Sequence, residues 1–188
     1  MILPDLPPNE LERLEAIHAL GLLDTPKEDR FDRFTRLAMA ICDTPVSIVS
    51  LIDSERQWFK SCGGTAVTET PRSISFCAHA ILEKGLFYVP DTLKDPRFSG
   101  NPLVTNAPFI RFYAGCPVFL PGDLPIGTLC VLDTRPRELS TAQTLRLRDL
   151  ADCLQREMHL QMLMQDLNRL SANPSLAVLG KPATKPVK

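Results

Sequence analysis

Two strand-like runs, Ile110 to Leu120 and Ile126 to Leu132, stand five residues apart, with Pro121-Gly122-Asp123-Leu124-Pro125 between them. Pro-Gly with a flanking proline favours a reversal, so the runs read as neighbouring antiparallel strands. A second pair, Val46 to Ile52 and Arg56 to Cys62, turns at Asp53-Ser54-Glu55. Two hairpins commit the chain to an antiparallel sheet, and its other segments must cover that sheet. Pro117 has no N–H to give a ladder, so an edge position or a bulge is expected there. Leu86 to Val89 reads as a further short strand.

Helical spacing surrounds these strands. Asn9 suits a cap for a helix carrying Leu11, Leu14 and Ile17, closed at Gly21. Thr25-Pro26-Lys27-Glu28 has the form of a capping box ahead of Phe31, Phe34, Leu37, Ala38 and Ile41. A third helix carries Ile74, Cys77, Ala78, Ile81 and Leu82 and stops at Gly85. Asp95-Pro96-Arg97-Phe98 and Asn101-Pro102 mark a structured loop excursion. Ser140-Thr141-Ala142-Gln143 is another capping box, opening a helix to about Leu170, roughly 46 Å long. Its stripe runs Leu147, Leu150, Leu154, Met158, then changes phase to Leu160, Leu163, Leu167, Leu170. The first stripe is expected on the chain's own sheet and the second on the same helix of another subunit; a bent helix folding back is the alternative.

The expected fold is α+β: an antiparallel sheet of five to six strands, N- and C-terminal helices on one face, and a pocket on the other under a helix and the loops Gly63 to Ser73 and Asp91 to Phe109. A length of 188 residues suits one domain with extensions. A net charge of -1 gives no broad basic field, so nucleic acid is not an expected partner. The start has no secretory pattern, and the most apolar stretch, Val46 to Ile52, is far too short to span a membrane, so a cytoplasmic protein without membrane contact is expected. The six cysteines are dispersed with no Cys-x-x-Cys pair, which suits reduced thiols and assigns no metal site. Cys116 and Cys130 lie symmetrically about Asp123 and would face each other in a regular hairpin, although Pro117 and the connection leave the register open.

Several strings together are more specific: Arg56-Gln57-Trp58-Phe59-Lys60, Thr70-Pro71-Arg72, Ser75-Phe76-Cys77-Ala78-His79, Asp95-Pro96-Arg97-Phe98, Asn101-Pro102-Leu103-Val104, Arg111-Phe112-Tyr113-Ala114-Gly115 and Gly127-Thr128-Leu129-Cys130-Val131. In this order the chain, from about Glu10 to Leu160, resembles the GAF domains attached to bacterial diguanylate cyclases and sensor histidine kinases. The resemblance implies a PAS-like sheet, a small-molecule pocket and dimerisation through terminal helices. It divides the chain into an extended segment 1–8, a GAF domain 9–160, the end of a dimerisation helix 161–170 and a flexible tail 171–188. The Asn-Lys-Phe-Asp-Glu set of cyclic-nucleotide-binding members is not found, and Ala78 separates Cys77 from His79 where bilin-bearing relatives have Cys-His. Because a kinase or cyclase output domain normally follows such a module, action in trans is expected.

The expected function is a sensory module and not an enzyme. The alternatives are a reductase of free methionine sulfoxide or another cysteine redox enzyme on the same fold, and a dimerisation scaffold without ligand. Neither ligand nor cofactor is named. The candidate ligand-binding residues are Trp58, Phe76, Cys77, His79, Asp91, Arg97, Arg111 and Tyr113, with no catalytic residue or metal ligand. Cys77 and His79 lie about 200° apart around a helix and cannot readily pair, so Cys77 reads first as a buried thiol. His79 suits a ligand contact or a polar surface position. Arg111 and Tyr113 should share one strand face, as a fork for an anion beside an aromatic wall. Trp58 suits stacking or core, and Asp91 and Arg97 suit a loop-fixing ion pair or turn cap, or ligand contact.

Overall fold

A computed structural model describes residues 1–172. Its strands are β1 (Val46–Ile52), β2 (Arg56–Gly63), β3 (Glu69–Pro71), β4 (Phe87–Val89), β5 (Phe112–Leu120) and β6 (Leu124–Asp133). They form one six-stranded sheet in the order β3-β2-β1-β6-β5-β4, with every neighbour antiparallel. Both expected hairpins are present, and β1 against β6 joins them at the centre. That junction is close: a Cβ on Gly127 would stand 1.8 Å from the Ser50 carbonyl oxygen. Pro117 pairs with Thr128 where β5 has run past the end of β4, and a bulge follows between Val118 and Phe119.

Alternation along the strands separates two apolar layers. Val49, Leu51, Trp58, Phe112, Ala114, Cys116, Leu129 and Val131 point to helices α1 (Glu10–Ala19), α2 (Asp29–Cys42) and α5 (Thr141–Ala172). Ile48, Ile52, Phe59, Tyr113, Cys130 and Leu132 point the other way, towards α3 (Phe76–Ala80), α4 (Pro102–Thr105) and the connecting loops.

Two helices differ from the sequence expectation at a buried cation, α2 in where it starts and α1 in which residues it buries. Val49 pairs with Ser61 and Ser50 with Phe59, which leaves Lys60 as the extra residue of a bulge. Lys60 turns to the helix side, where its buried ammonium donates to Thr25 Oγ1 (2.7 Å) and the Pro26 carbonyl (2.8 Å), with Glu28 Oε1 at 2.6 Å. The apparent capping box therefore wraps Lys60, and α2 begins after it at Asp29. In α1, Leu11 is exposed and Arg13 is buried in its place. Arg13 donates to both Glu10 carboxylate oxygens (2.8 Å each) and to the Ile52 carbonyl, while Glu10 also accepts from Arg72 at 2.6 Å.

The capping box of α5 is reciprocal: the Ser140 N–H donates to Gln143 Oε1 (3.0 Å) and the Gln143 N–H to Ser140 Oγ (3.3 Å). The 32-residue helix buries Leu147, Ala151, Leu154 and Met158, then leaves Leu160, Leu163, Met164, Leu167 and Leu170 exposed. Beyond Ala172 the expected tail lies outside the described residues. The segment 1–8 reaches the excursion loop, where the Ile2 N–H donates to the Arg97 carbonyl (3.0 Å).

Candidate functional site

On the face away from the terminal helices a cavity of about 360 Å³ lies between the sheet and its covering segments. Val46, Ile48, Phe59, Cys130 and Leu132 come from the strands, and Gly64, Val67, Leu103, Pro108 and Ile110 from the cover. One end is formed by Phe76, Cys77 and Tyr113. The lining is mainly apolar and contains no Arg, Lys or His. Gln57 lines it too, but its Oε1 already accepts from Ser75 Oγ. Thr70 Oγ1 is buried without a partner and so is free to bond a guest, whereas the Asp133 carboxylate in the lining is held by Arg137.

Beside the apolar end stands a compact set of hydroxyls and thiols. Ser50 Oγ and Thr128 Oγ1 are 3.0 Å apart, Tyr113 donates its hydroxyl to Cys77 Sγ at 3.2 Å, and Cys77 Sγ lies 3.7 Å from Cys130 Sγ. The Tyr113 phenol fits because residue 115 is glycine; a Cβ there would stand 2.2 Å from the hydroxyl oxygen. Phe76 stacks on Tyr113 with ring centres 5.3 Å apart and on Phe98 at 4.4 Å, filling this end. Burial raises the Cys77 thiol pKa, but hydrogen bonds from Cys130, Ser50, Thr128 and Tyr113 outweigh it and hold the thiol below its usual range. Burial drives the Cys130 thiol and the Tyr113 phenol upward.

The structure brings three of the eight candidates together: Phe76, Cys77 and Tyr113. Trp58 packs on the opposite face among the helices, out of reach of any guest. Arg111 precedes β5 and turns to Asp91, donating from Nε (3.1 Å) and Nη2 (2.8 Å), so the expected fork beside Tyr113 does not form. Asp91 is held below the usual carboxylate range by Arg111 and also accepts from the Leu93 N–H. Arg97 pairs with Asp95 at 2.6 Å, not with Asp91, and its guanidinium lies 4.6 Å over the Phe87 ring. His79 sits edge-on to Phe98 (4.9 Å) near the Ile2 carbonyl (3.2 Å), and burial holds its imidazole below the usual range. Cys116 faces Leu129 across the ladder and points to the helices, so Cys130 meets Cys77 and not Cys116.

Gln57, Phe59, Thr70 and Cys130 were not among the candidates. Period two along β2 sets Gln57 and Phe59 on the face opposite Trp58, and that alternation is the sequence signal that finds them. In a second hollow of about 440 Å³ Asp91, Asp95 and Arg137 are already paired with Arg111, Arg97 and Asp133. Among the described residues no three His, Cys, Asp or Glu side chains gather into a metal-holding group, and no helix is long and apolar enough to cross a membrane.

A six-stranded antiparallel sheet with terminal helices on one side and a loop-covered cavity on the other defines a ligand-binding class of α+β domain. The family profile of the GAF domain matches residues 26–157, and the chain belongs to that family. It is 42% identical over 137 residues to a cyclic di-GMP phosphodiesterase of Pseudomonas aeruginosa, a match covering 73% of this chain and 23% of that protein. The GAF domain of PixJ from Thermosynechococcus elongatus, in its blue-light absorbing form, has the same fold (TM-score 0.60, 13% identity, 90% of this chain and 99% of that one). So does free methionine-R-sulfoxide reductase of Neisseria meningitidis (TM-score 0.57, 15% identity, 87% and 98%). The phosphodiesterase match corrects the expectation that the chain is not an enzyme, because closely related sequence occurs inside a protein named for its catalysis.

Proposed function

We propose that this chain is the small-molecule-sensing part of a bacterial signalling enzyme that hydrolyses cyclic di-GMP, working on a catalytic unit in cis or in trans. The observation that carries the reading is the apolar cavity of about 360 Å³ on the sheet face opposite the long helix. Its chemistry defines the guest: a small, uncharged, largely apolar molecule, gripped between Phe59, Phe76 and Leu132, with one polar atom towards Thr70. Cyclic di-GMP itself does not suit this lining, since two phosphates need cations that the cavity does not provide. On this reading cyclic di-GMP belongs to the catalytic unit. The homologous match supports the link to cyclic di-GMP, and the GAF family supports regulation by ligand.

Output passes through α5. Its exposed leucines, Leu160, Leu163, Leu167 and Leu170, form a seam that a second copy of the helix covers in a cytoplasmic homodimer. A guest with different affinity for two packings of that seam shifts the balance between them. The test is a thermal-shift screen of uncharged aromatic and heterocyclic fragments, followed by cyclic di-GMP hydrolysis assays on the full enzyme. Stabilising fragments should change hydrolysis and lose their effect in Leu132→Trp, which fills the cavity. Fragments that stabilise the wild type and Leu132→Trp equally contradict the reading.

A further inference from the structure

We propose that Cys77 and Cys130 are an oxidisable thiol pair at the inner end of the cavity, joined to each other by a peroxide and released by a thiol reductant. The two sulfurs come from α3 and β6, lie 3.7 Å apart and both border the cavity, which gives a molecule as small as hydrogen peroxide a route to them. Among the described residues no other two cysteine sulfurs touch. Cys42 and Cys116 lie in the helix-side layer, where burial pushes their thiols up to about 11 and about 12. Cys153 is exposed and has no thiol beside it.

The surroundings assign a role to each sulfur. Tyr113 donates to Cys77, and the Ser50 and Thr128 hydroxyls add to the same polar group, so Cys77 is the sulfur best able to carry negative charge. In the first step the Cys77 thiolate attacks one peroxide oxygen, an S–O bond forms, the O–O bond breaks, and hydroxide leaves to become water with a solvent proton. In the second, Cys130 attacks the Cys77 sulfenic sulfur, the S–O bond breaks, and the Cys130 proton leaves with the departing hydroxide as water. Two thiols are oxidised, one peroxide is reduced, and two waters form. Closing the sulfurs from 3.7 Å to about 2.05 Å draws α3 onto β6 and reshapes the end formed by Phe76 and Tyr113. The pair needs only a cavity that admits peroxide, so it stands apart from the proposed guest.

The test uses the full chain, reduced and then treated with one equivalent of hydrogen peroxide near pH 7.5. Free thiols are alkylated under denaturing conditions, and unreduced peptides are mapped by mass. The expected product is a Cys77–Cys130 linked peptide, abolished by dithiothreitol and unaffected by Cys153→Ser. Cys130→Ser should stop at a dimedone-trapped sulfenic acid on Cys77. Recovery of both Cys77 and Cys130 fully alkylated, or linkage of either to another cysteine, overturns the proposal. Should Cys130→Ser fail to fold, the wild-type map decides alone.

Discussion

The two sides of the sheet use the same strands and differ in how completely they are filled. On the helix side Leu51, Phe112, Leu129, Leu147 and Leu154 are fully buried in one layer, and the buried cations Arg13 and Lys60 are fully partnered. On the other side Ile48, Phe59 and Leu132 border a space of about 360 Å³, and beside the Gln57 amide and the Asp133 carboxylate the polar groups are small hydroxyls and thiols, one of them unpaired. A close-packed layer contributes stability, while a guest needs room and a few unspent hydrogen bonds. On the proposed function the helix side is the scaffold and the cavity side the sensor.

Truncation should expose that difference most strongly. Leu154→Ala, deep in the helix layer, should cost about 3–4 kcal/mol in urea unfolding, whereas Leu132→Ala, already beside empty space, should cost about 1–2 kcal/mol. Equal losses would mean that the two layers are equally well packed. The ionic group of the helix side comes next: Glu10→Gln should cost about 2–3 kcal/mol at neutral pH by leaving Arg13 and Arg72 without their anion. Burial raises the Glu10 carboxyl, but hydrogen bonds from Arg13 and Arg72 outweigh it and lower its pKa from 4.5 to about 2. Its contribution is thus complete above about 4.5 and is lost as pH falls towards 2, so the gap between wild type and variant should close across that window.

Smaller effects sharpen the functional side. Tyr113→Phe should cost about 1 kcal/mol or less, yet slow alkylation of Cys77 by iodoacetamide about three- to ten-fold near pH 7, since it removes a hydrogen bond to the thiolate. Leu163→Glu with Leu167→Glu should change unfolding by no more than about 0.5 kcal/mol at a dilution where the wild type is monomeric, because both residues are exposed on a single copy. The same pair should halve the mass measured by light scattering; an unchanged mass would remove the helix seam from the account.

The architecture was legible in the sequence because hairpin turns and helical stripes are local signals. Pro121 to Pro125 fixed one reversal, Ser140 with Gln143 fixed the start of α5, and the phase change after Met158 marked where that helix leaves its own core. The candidate site was only partly legible. Phe76, Cys77 and Tyr113 line the cavity, but Arg111 was drawn off by Asp91 and Trp58 by the strand alternation. Long-range pairings such as Cys77 with Cys130, 53 residues apart, and Lys60 with Glu28 depend on a bulge and on the placement of α3, which no local pattern encodes.

Calorimetric titration with two probes that share a ring and differ in charge, indole and indole-2-carboxylate, tests the sensing cavity most directly. Indole should bind the wild type measurably and lose that binding in Leu132→Trp, and the carboxylate should bind at least about ten-fold more weakly, since the lining holds no cation. Tighter binding of the carboxylate, or indole binding that survives Leu132→Trp, would contradict a sensing cavity of this chemistry.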